Sequence, residues 1–367
     1  MAKRLKALCL FGTRPEAIKL APVIRRLSTS PKLEPIVCVS GQHRALLDQA
    51  LAVFSITPDI DLSVMVPNQS LFYVTRSIME RFEPVLNRER PDLVIVQGDA
   101  QTAFVGALCA YYSRIPVAHV EAGLRTGDPY SPYPEEMNRR LIDRIAAFLF
   151  APTETAKGNL LREGEPEEKI VVTGNTEIDA LYYVRENVPP RVRFDLPGKL
   201  VLVTAHRRES FSGGIARICE GLRKLAGLRP DITIVYSVHP NPRVQTVVRE
   251  RLADRERIVL IDPPDYASFI HLISSSHLVL TDSGGIQELG AALHVPVLVL
   301  RDKTERVEGL ATGSARLVGT DPDRIAAVAN RLLTDAAEYA RMREAKNPYG
   351  DGKAAERIVN ALERSLS

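Results

Sequence analysis

The chain has 367 residues, 45% of them apolar and 25% charged, and its 48 Lys and Arg against 45 Asp and Glu leave a net charge of +3. At roughly 100–200 residues per domain this length predicts two cores, and charges scattered without blocks argue against a nucleic-acid or membrane-surface footprint, leaving a small ligand as the expected partner. No window approaches the ~18 unbroken apolar residues of a membrane span, and the basic start Lys3-Arg4 leads through a short apolar run into a turn, which argues against a signal peptide.

Apolar runs and helical periods then alternate in chain order. Leu5–Phe11, Pro35–Val39, Leu93–Gln97, Val117–Val120, Phe148–Pro152 and Ile170–Thr173 read as strands, each followed by a stretch of helical period. That is the pattern of a parallel sheet with helices on both faces, so residues 1–185 are expected to form a doubly wound, Rossmann-like α/β domain. The proline-rich stretch 186–198 lacks a sustained period and reads as a linker. Strands resume at Leu200–Thr204, Ile232–Ser237, Ile258–Ile261, Leu278–Thr281 and Val297–Leu300, predicting a second Rossmann-like domain over 199–350. Two such domains facing across a cleft is the glycosyltransferase-B type of architecture. In it the last segment, 351–367, with Ala355, Ile358, Val359 and Leu362 at helical spacing, is expected to return to the N-terminal domain.

The turns that follow these strands carry the candidate chemistry. Gly12-Thr13-Arg14-Pro15-Glu16-Ala17-Ile18-Lys19 opens a helix directly after the first strand. A helix N-terminus offers free amides and a positive dipole end, Pro15 suits its first turn, and Arg14 and Lys19 add charge, so a phosphate-bearing ligand is the expected guest. Asp99 closes Val94–Asp99, where it either faces a ligand or N-caps the helix beginning near Gln101. Glu121 ends another strand, and Pro134-Glu135-Glu136 opens a helix on which Glu135 and Arg139, four apart, share a face. Three carboxylates at successive strand or helix ends can supply the acids and bases of a proton transfer. In the second half His206 and His239 stand at strand ends, and Thr281-Asp282-Ser283-Gly284-Gly285 is a strand followed by a glycine turn whose amides can hold a diphosphate. Neither loop is a Gly-x-Gly-x-x-Gly fingerprint and no Asp-x-Asp pair ends a strand, so no metal and no redox cofactor are expected. Cys9, Cys38, Cys109 and Cys219 are far apart and read as buried free thiols of a reducing, cytoplasmic compartment.

Taken in order, GTRPEAIKLAP at 12–22, GQHR at 41–44, QGD at 97–99, HVEAGLRTGD at 119–128, SPYPEEMNR at 131–139, TGNTEIDAL at 173–181, TAHRRES at 204–210, VHPNP at 238–242, TDSGGIQE at 281–288, RDKTER at 301–306 and NPYGDG at 347–352 resemble the non-hydrolysing bacterial UDP-N-acetylglucosamine 2-epimerase family. The resemblance implies interconversion of UDP-GlcNAc and UDP-ManNAc, supplying ManNAc-type sugars for cell-surface polysaccharide. It implies Asp99, Glu121 and Glu135 as catalytic carboxylates and His206 as the catalytic-site histidine. Arg14, Lys19 and Arg139 match substrate or diphosphate contacts, Ser283, Gly284 and Gly285 the phosphate-binding turn, and Phe269 the aromatic beside the uracil. A homodimer without cofactor is also implied. Gln42, His43, Arg207 and His239 match a regulatory UDP-GlcNAc site, with Asn68 where an arginine can stand.

The chain departs from the family at Leu289, where members usually carry a glutamate that grips the ribose hydroxyls, leaving Glu288 as its candidate substitute. Ala100-Gln101, His294 and Lys303 depart too, so the sugar configuration stays open. The C2 proton of such a sugar is not acidified by a carbonyl, so its removal is expected to be coupled to loss of UDP from C1. The intermediate is then 2-acetamidoglucal, to which UDP re-adds. Glu121 or Asp99 takes the proton while Arg14, Lys19 and the Ser283–Gly285 amides stabilise the diphosphate; Glu135, assisted by His206, reprotonates C2 from the opposite face. The alternatives are a hydrolysing epimerase releasing UDP and ManNAc, a glycosyltransferase of the same architecture, and a non-catalytic nucleotide-sugar sensor.

Overall fold

A computed structural model of the chain describes residues 3–41, 44–66, 69–207 and 213–366. Strands buried on both faces read as unbroken apolar runs, and the runs at the start of the chain pair into one parallel sheet. Its strands are β1 (Leu5–Phe11), β2 (Leu33–Val39), β3 (Ile60–Asp61), β4 (Leu93–Gln97), β5 (Val117–Val120), β6 (Phe148–Ala151) and β7 (Ile170–Val172). Their order is β3-β2-β1-β4-β5-β6-β7. A second parallel sheet holds β8 (Lys199–Thr204), β9 (Ile232–Ser237), β10 (Ile258–Ile261), β11 (Leu278–Thr281), β12 (Val297–Val299) and β13 (Ala315–Leu317), in the order β10-β9-β8-β11-β12-β13. Each sheet is Rossmann-like and doubly wound: the chain works outward from β1, or from β8, in one direction and then in the other. The winding reverses between β1 and β4 and between β8 and β11, and the loops leaving those carboxyl ends are where an open α/β sheet binds ligands.

Pairing explains where the strands start. β2 begins at Leu33 because Leu33 pairs with Leu5, and Pro35 is tolerated because β3 reaches only Cys38 and Val39 of β2. The free cysteines Cys9, Cys38, Cys109 and Cys219 are all buried. Burial pushes the thiols of Cys9, Cys38 and Cys219 up to about 12 and that of Cys109 up to about 11. Among the described residues no helix is long and apolar enough to cross a membrane.

The chain divides into two compact units, Met1–Tyr183 with Gly350–Ser367, and Val184–Tyr349. The division falls inside the helix Thr176–Asn187, so the stretch 186–198 expected as a linker begins within a helix. Val188 N still donates to Val184 O at 3.0 Å; Pro189-Pro190 then disfavours further helical backbone. The following residues are tied to the second unit, with Val188 O bonded to His271 Nε2 at 3.0 Å and Val192 N donating to Ser268 Oγ at 3.1 Å. The last helix, Ala354–Ser365, packs in the first unit against the helix Arg14–Ser28. Asp179 caps it, accepting from Ala354 N at 3.1 Å and Ala355 N at 2.9 Å, and burial pushes its carboxyl up to about 6 despite these bonds.

Candidate active site

In the first unit the segments that follow β4 and β5 carry the expected acids, and the one that follows β1 the expected cations. Glu121 leaves β5 with φ of +73°, left-handed backbone that is costly for a residue with a side chain and that persists where the surroundings fix it. Its Oε1 takes the Lys19 ammonium and its Oε2 accepts from Gln97 Nε2 at 2.6 Å. Lys19 also lies 3.8 Å from Glu177 Oε2. Asp99 is paired with Arg139 Nη2, and its carbonyl accepts from Asn138 Nδ2 at 2.9 Å. It does not cap the following helix, Gln101–Tyr112, whose N-cap is Ala100.

Glu135 is the first residue of the helix Glu135–Ile145 and is half-buried. Its side chain makes no hydrogen bond or ion pair among the described residues. Arg139 turns instead to Asp99 and, at 3.3 Å, to Glu136. Glu136 is fully buried and braces the neighbouring loop by accepting from Thr126 N at 3.1 Å and Gly127 N at 3.3 Å. The sequence reading missed His119, buried on β5, which lies 2.7 Å from Gly98 O through Nε2 and 2.6 Å from Asp143 Oδ1 through Nδ1. Burial would raise the Asp143 carboxyl, but His119 and Arg125 hold it below the usual range.

The first loop differs from its expectation. Glu16 Oε2 accepts from Gly12 N at 3.0 Å, Thr13 N at 2.8 Å and Thr13 Oγ1 at 2.7 Å, so the two amides of the loop just ahead of the helix are taken by the chain's own carboxylate. Burial outweighs these bonds and, with a contribution from Asp99, pushes the Glu16 carboxyl up to about 7. Its Oε1 is buried without a hydrogen-bond partner among the described residues. Position 12 has no room for a side chain, since a Cβ would stand 2.1 Å from Ser40 Oγ and 2.5 Å from Thr102 Oγ1. Arg14 is half-buried and makes no side-chain bond among the described residues.

In the second unit Asp282, just after β11, clamps the turn after β8. Its Oδ2 accepts from His206 N at 2.7 Å and Arg207 N at 2.8 Å. The His206 ring stacks on His239 from the end of β9, with centroids 4.8 Å apart and planes 14° apart. Burial lowers the His206 imidazole below its usual range; Asp282 opposes that, and His239 and Arg207 reinforce it. Ser283 then N-caps the helix Gly284–Ala292 without a side-chain bond, and the amides of Gly284, Gly285 and Ile286 have no partner among the described residues. Phe269 sits half-buried in the first turn of the helix Tyr266–Ser275.

The loop after β12 braces that open turn. Thr304 Oγ1 donates to Gln287 Oε1 at 2.9 Å, Arg301 Nη1 and Arg207 Nη2 lie 2.8 and 3.5 Å from Glu305, and Arg306 Nε pairs with Glu288. Glu288 is therefore a buried, ion-paired acid, and Leu289 is 3% exposed. Of the four residues matched to a regulatory site, Gln42 and His43 lie outside the described residues, while Arg207 and His239 stand beside His206 in chain and in space. No group of three or more His, Cys, Asp or Glu side chains among the described residues could hold a metal ion.

The profile of the UDP-N-acetylglucosamine 2-epimerase family matches residues 25–363. The chain belongs to this family. A UDP-N-acetylglucosamine 2-epimerase of Yersinia pestis is 50% identical over 369 residues, covering 98% of each chain. The crystal structure of UDP-GlcNAc 2-epimerase from Neisseria meningitidis bound to UDP-GlcNAc is 43% identical with a TM-score of 0.89, covering 98% of this chain and 100% of that one. The crystal structure of the glycotransferase of kitacinnamycin, at 12% identity and a TM-score of 0.68 over 100% of both chains, shares the fold alone, the two Rossmann-like domains of the glycosyltransferase-B type. In this chain Asp99, Glu121 and Glu135 all stand on the first unit, and the open amide turn stands on the second.

Proposed function

We propose that the protein is a non-hydrolysing UDP-GlcNAc 2-epimerase that interconverts UDP-GlcNAc and UDP-ManNAc by elimination and re-addition. The observation that carries this reading is the unequal treatment of the three acids. Asp99 and Glu121 are each fixed by a cation, Arg139 and Lys19, whereas Glu135 has no side-chain partner among the described residues. An acid held in one place suits removal of the C2 proton by Glu121 or Asp99; an acid free of partners suits delivery of a proton to the other face, Glu135 with His206 assisting. As the C2–H bond breaks, the C1–O bond breaks too and UDP leaves with its electron pair, giving 2-acetamidoglucal. The amides of Gly284 and Gly285 offset the charge arriving on the diphosphate, with Arg14 adding its guanidinium. UDP re-adds to C1 as C2 regains a proton. A cytoplasmic homodimer, and a role in supplying ManNAc-type sugars for cell-surface polysaccharide, belong to the same reading.

Incubation with UDP-GlcNAc in heavy water tests it. Proton NMR should show deuterium entering C2 of both the recovered UDP-GlcNAc and the UDP-ManNAc formed. Epimer formed with its C2 hydrogen retained would overturn the elimination, and free ManNAc with stoichiometric UDP would select the hydrolysing alternative.

A further inference from the structure

Asp282 makes two contacts of different kinds. Its side chain is fully buried, and Oδ2 is used up by the amides of His206 and Arg207. Its Oδ1 is buried with no hydrogen-bond partner among the described residues, and His206 Nδ1 lies 3.7 Å away. Burying a carboxylate oxygen without a donor is unfavourable, so such an oxygen calls for a use; hydrogen bonds of catalytic groups are often long in the free protein and tighten when the ligand is bound.

We propose that Asp282 is a positioning residue that fixes the tautomer and plane of the His206 ring. The proposal rests on the reading above, in which His206 assists at the reacting sugar. With Nδ1–H directed at Asp282 Oδ1, the neutral ring keeps its lone pair on Nε2, at the far end from the buried acid, where it can take up and return a proton. The stack on His239 holds the ring plane from the other side. Arg207, next to His206 in the chain and paired at 3.5 Å with Glu305, offers Nδ1 only donors. Asp282 also immediately precedes Ser283, so the seat for a diphosphate and the brace of the histidine are one turn of chain.

Full-length protein labelled with 15N-histidine tests this, with ring nitrogens read by long-range proton–nitrogen correlation and the His206 signals assigned from His206→Gln. The neutral His206 ring should carry its proton on Nδ1; a proton on Nε2 overturns the proposal. Asp282→Asn keeps an oxygen for the two amides and turns an NH2 toward the ring. It should move the proton to Nε2, lower the His206 pKa further, and reduce kcat by at least about tenfold with KM changed by less than about threefold. A folded Asp282→Asn protein with unchanged tautomer and pKa overturns the proposal as well. Should that variant not fold, the tautomer in the unmodified protein decides alone. His206→Gln with undiminished kcat would instead refute the role assigned to His206 and leave the tautomer result standing, so the two failures are distinguishable.

Discussion

Two helices start beside a central strand of a doubly wound sheet in this protein, and their N-termini are used in opposite ways. At Arg14–Ser28, after β1, the amides of Gly12 and Thr13 are closed by Glu16. At Gly284–Ala292, after β11, the amides of Gly284, Gly285 and Ile286 stay without a partner among the described residues, and the nearest acid in sequence, Asp282, faces back to the amides of His206 and Arg207. A glycine turn at the end of a parallel strand is thus an anion site only while the chain leaves its amides unfilled. On the proposed function the difference divides the labour: the first unit holds the carboxylates with the cations that fix Asp99 and Glu121, and the second offers the open amides to a diphosphate.

The strongest way to break this comparison is to remove an acid from the first unit. Asp99→Asn or Glu121→Gln should lower turnover by about 10²–10⁴ while calorimetry finds the UDP dissociation constant changed by less than about threefold, ~0.65 kcal/mol. A comparable loss of UDP affinity would mean that these acids and their cations form the nucleotide seat.

A smaller effect concerns the closed helix start. The Glu16 carboxyl is raised from 4.5 to about 7 in the folded protein, so the fold binds that proton more tightly than the unfolded chain does. The stability it contributes is complete below pH 4.5 and is lost as pH rises through about 7, on the order of 3 kcal/mol at ~1.36 kcal/mol per unit. Glu16→Gln cannot titrate, and urea midpoints of the variant should vary less over that window than those of the unmodified protein. An unchanged pH slope would show that Glu16 is not buried in its acid form.

The smallest effect sharpens the other side. A Cβ at Gly284 would stand 3.0 Å from Glu305 Oε1 and 3.5 Å from Arg306 Cζ, both ends of flexible side chains, so Gly284→Ala should fold. The methyl group narrows the approach to the open amides, and UDP binding should weaken by about tenfold, ~1.4 kcal/mol. Undiminished affinity would place the diphosphate elsewhere.

Much of the fold was legible because its strands are buried on both faces: β4, β5, β9, β10 and β11 have the bounds that their apolar runs predict. The short edge strands β3 and β13 were not, since Ile60-Asp61 and Ala315-Arg316-Leu317 each carry a charge and make no apolar run, and these become strands only by pairing with β2 and β12. The acids Asp99, Glu121 and Glu135 could be found from their places at strand and helix ends, but not their partners, which come from distant segments such as Lys19 and Arg139. The closing of the first loop had a local signal that went unused: Thr13-x-x-Glu16 is capping-box spacing. Pro134-Glu135-Glu136 shows the limit of periodicity, since it cannot say that Glu136 is the buried brace and Glu135 the acid left without a partner. That distinction depends on Thr126, Gly127 and Arg139 converging on one carboxylate.

Glu135 gives the most direct test of the division between the units, because removing its charge breaks no ion pair or hydrogen bond among the described residues. In Glu135→Gln, UDP affinity should match that of the unmodified protein by calorimetry, while formation of UDP-ManNAc from UDP-GlcNAc falls by about 10² or more. UDP affinity lost together with activity, or epimer formed at the unmodified rate, would contradict the assignment of nucleotide binding to the second unit and proton delivery to the first.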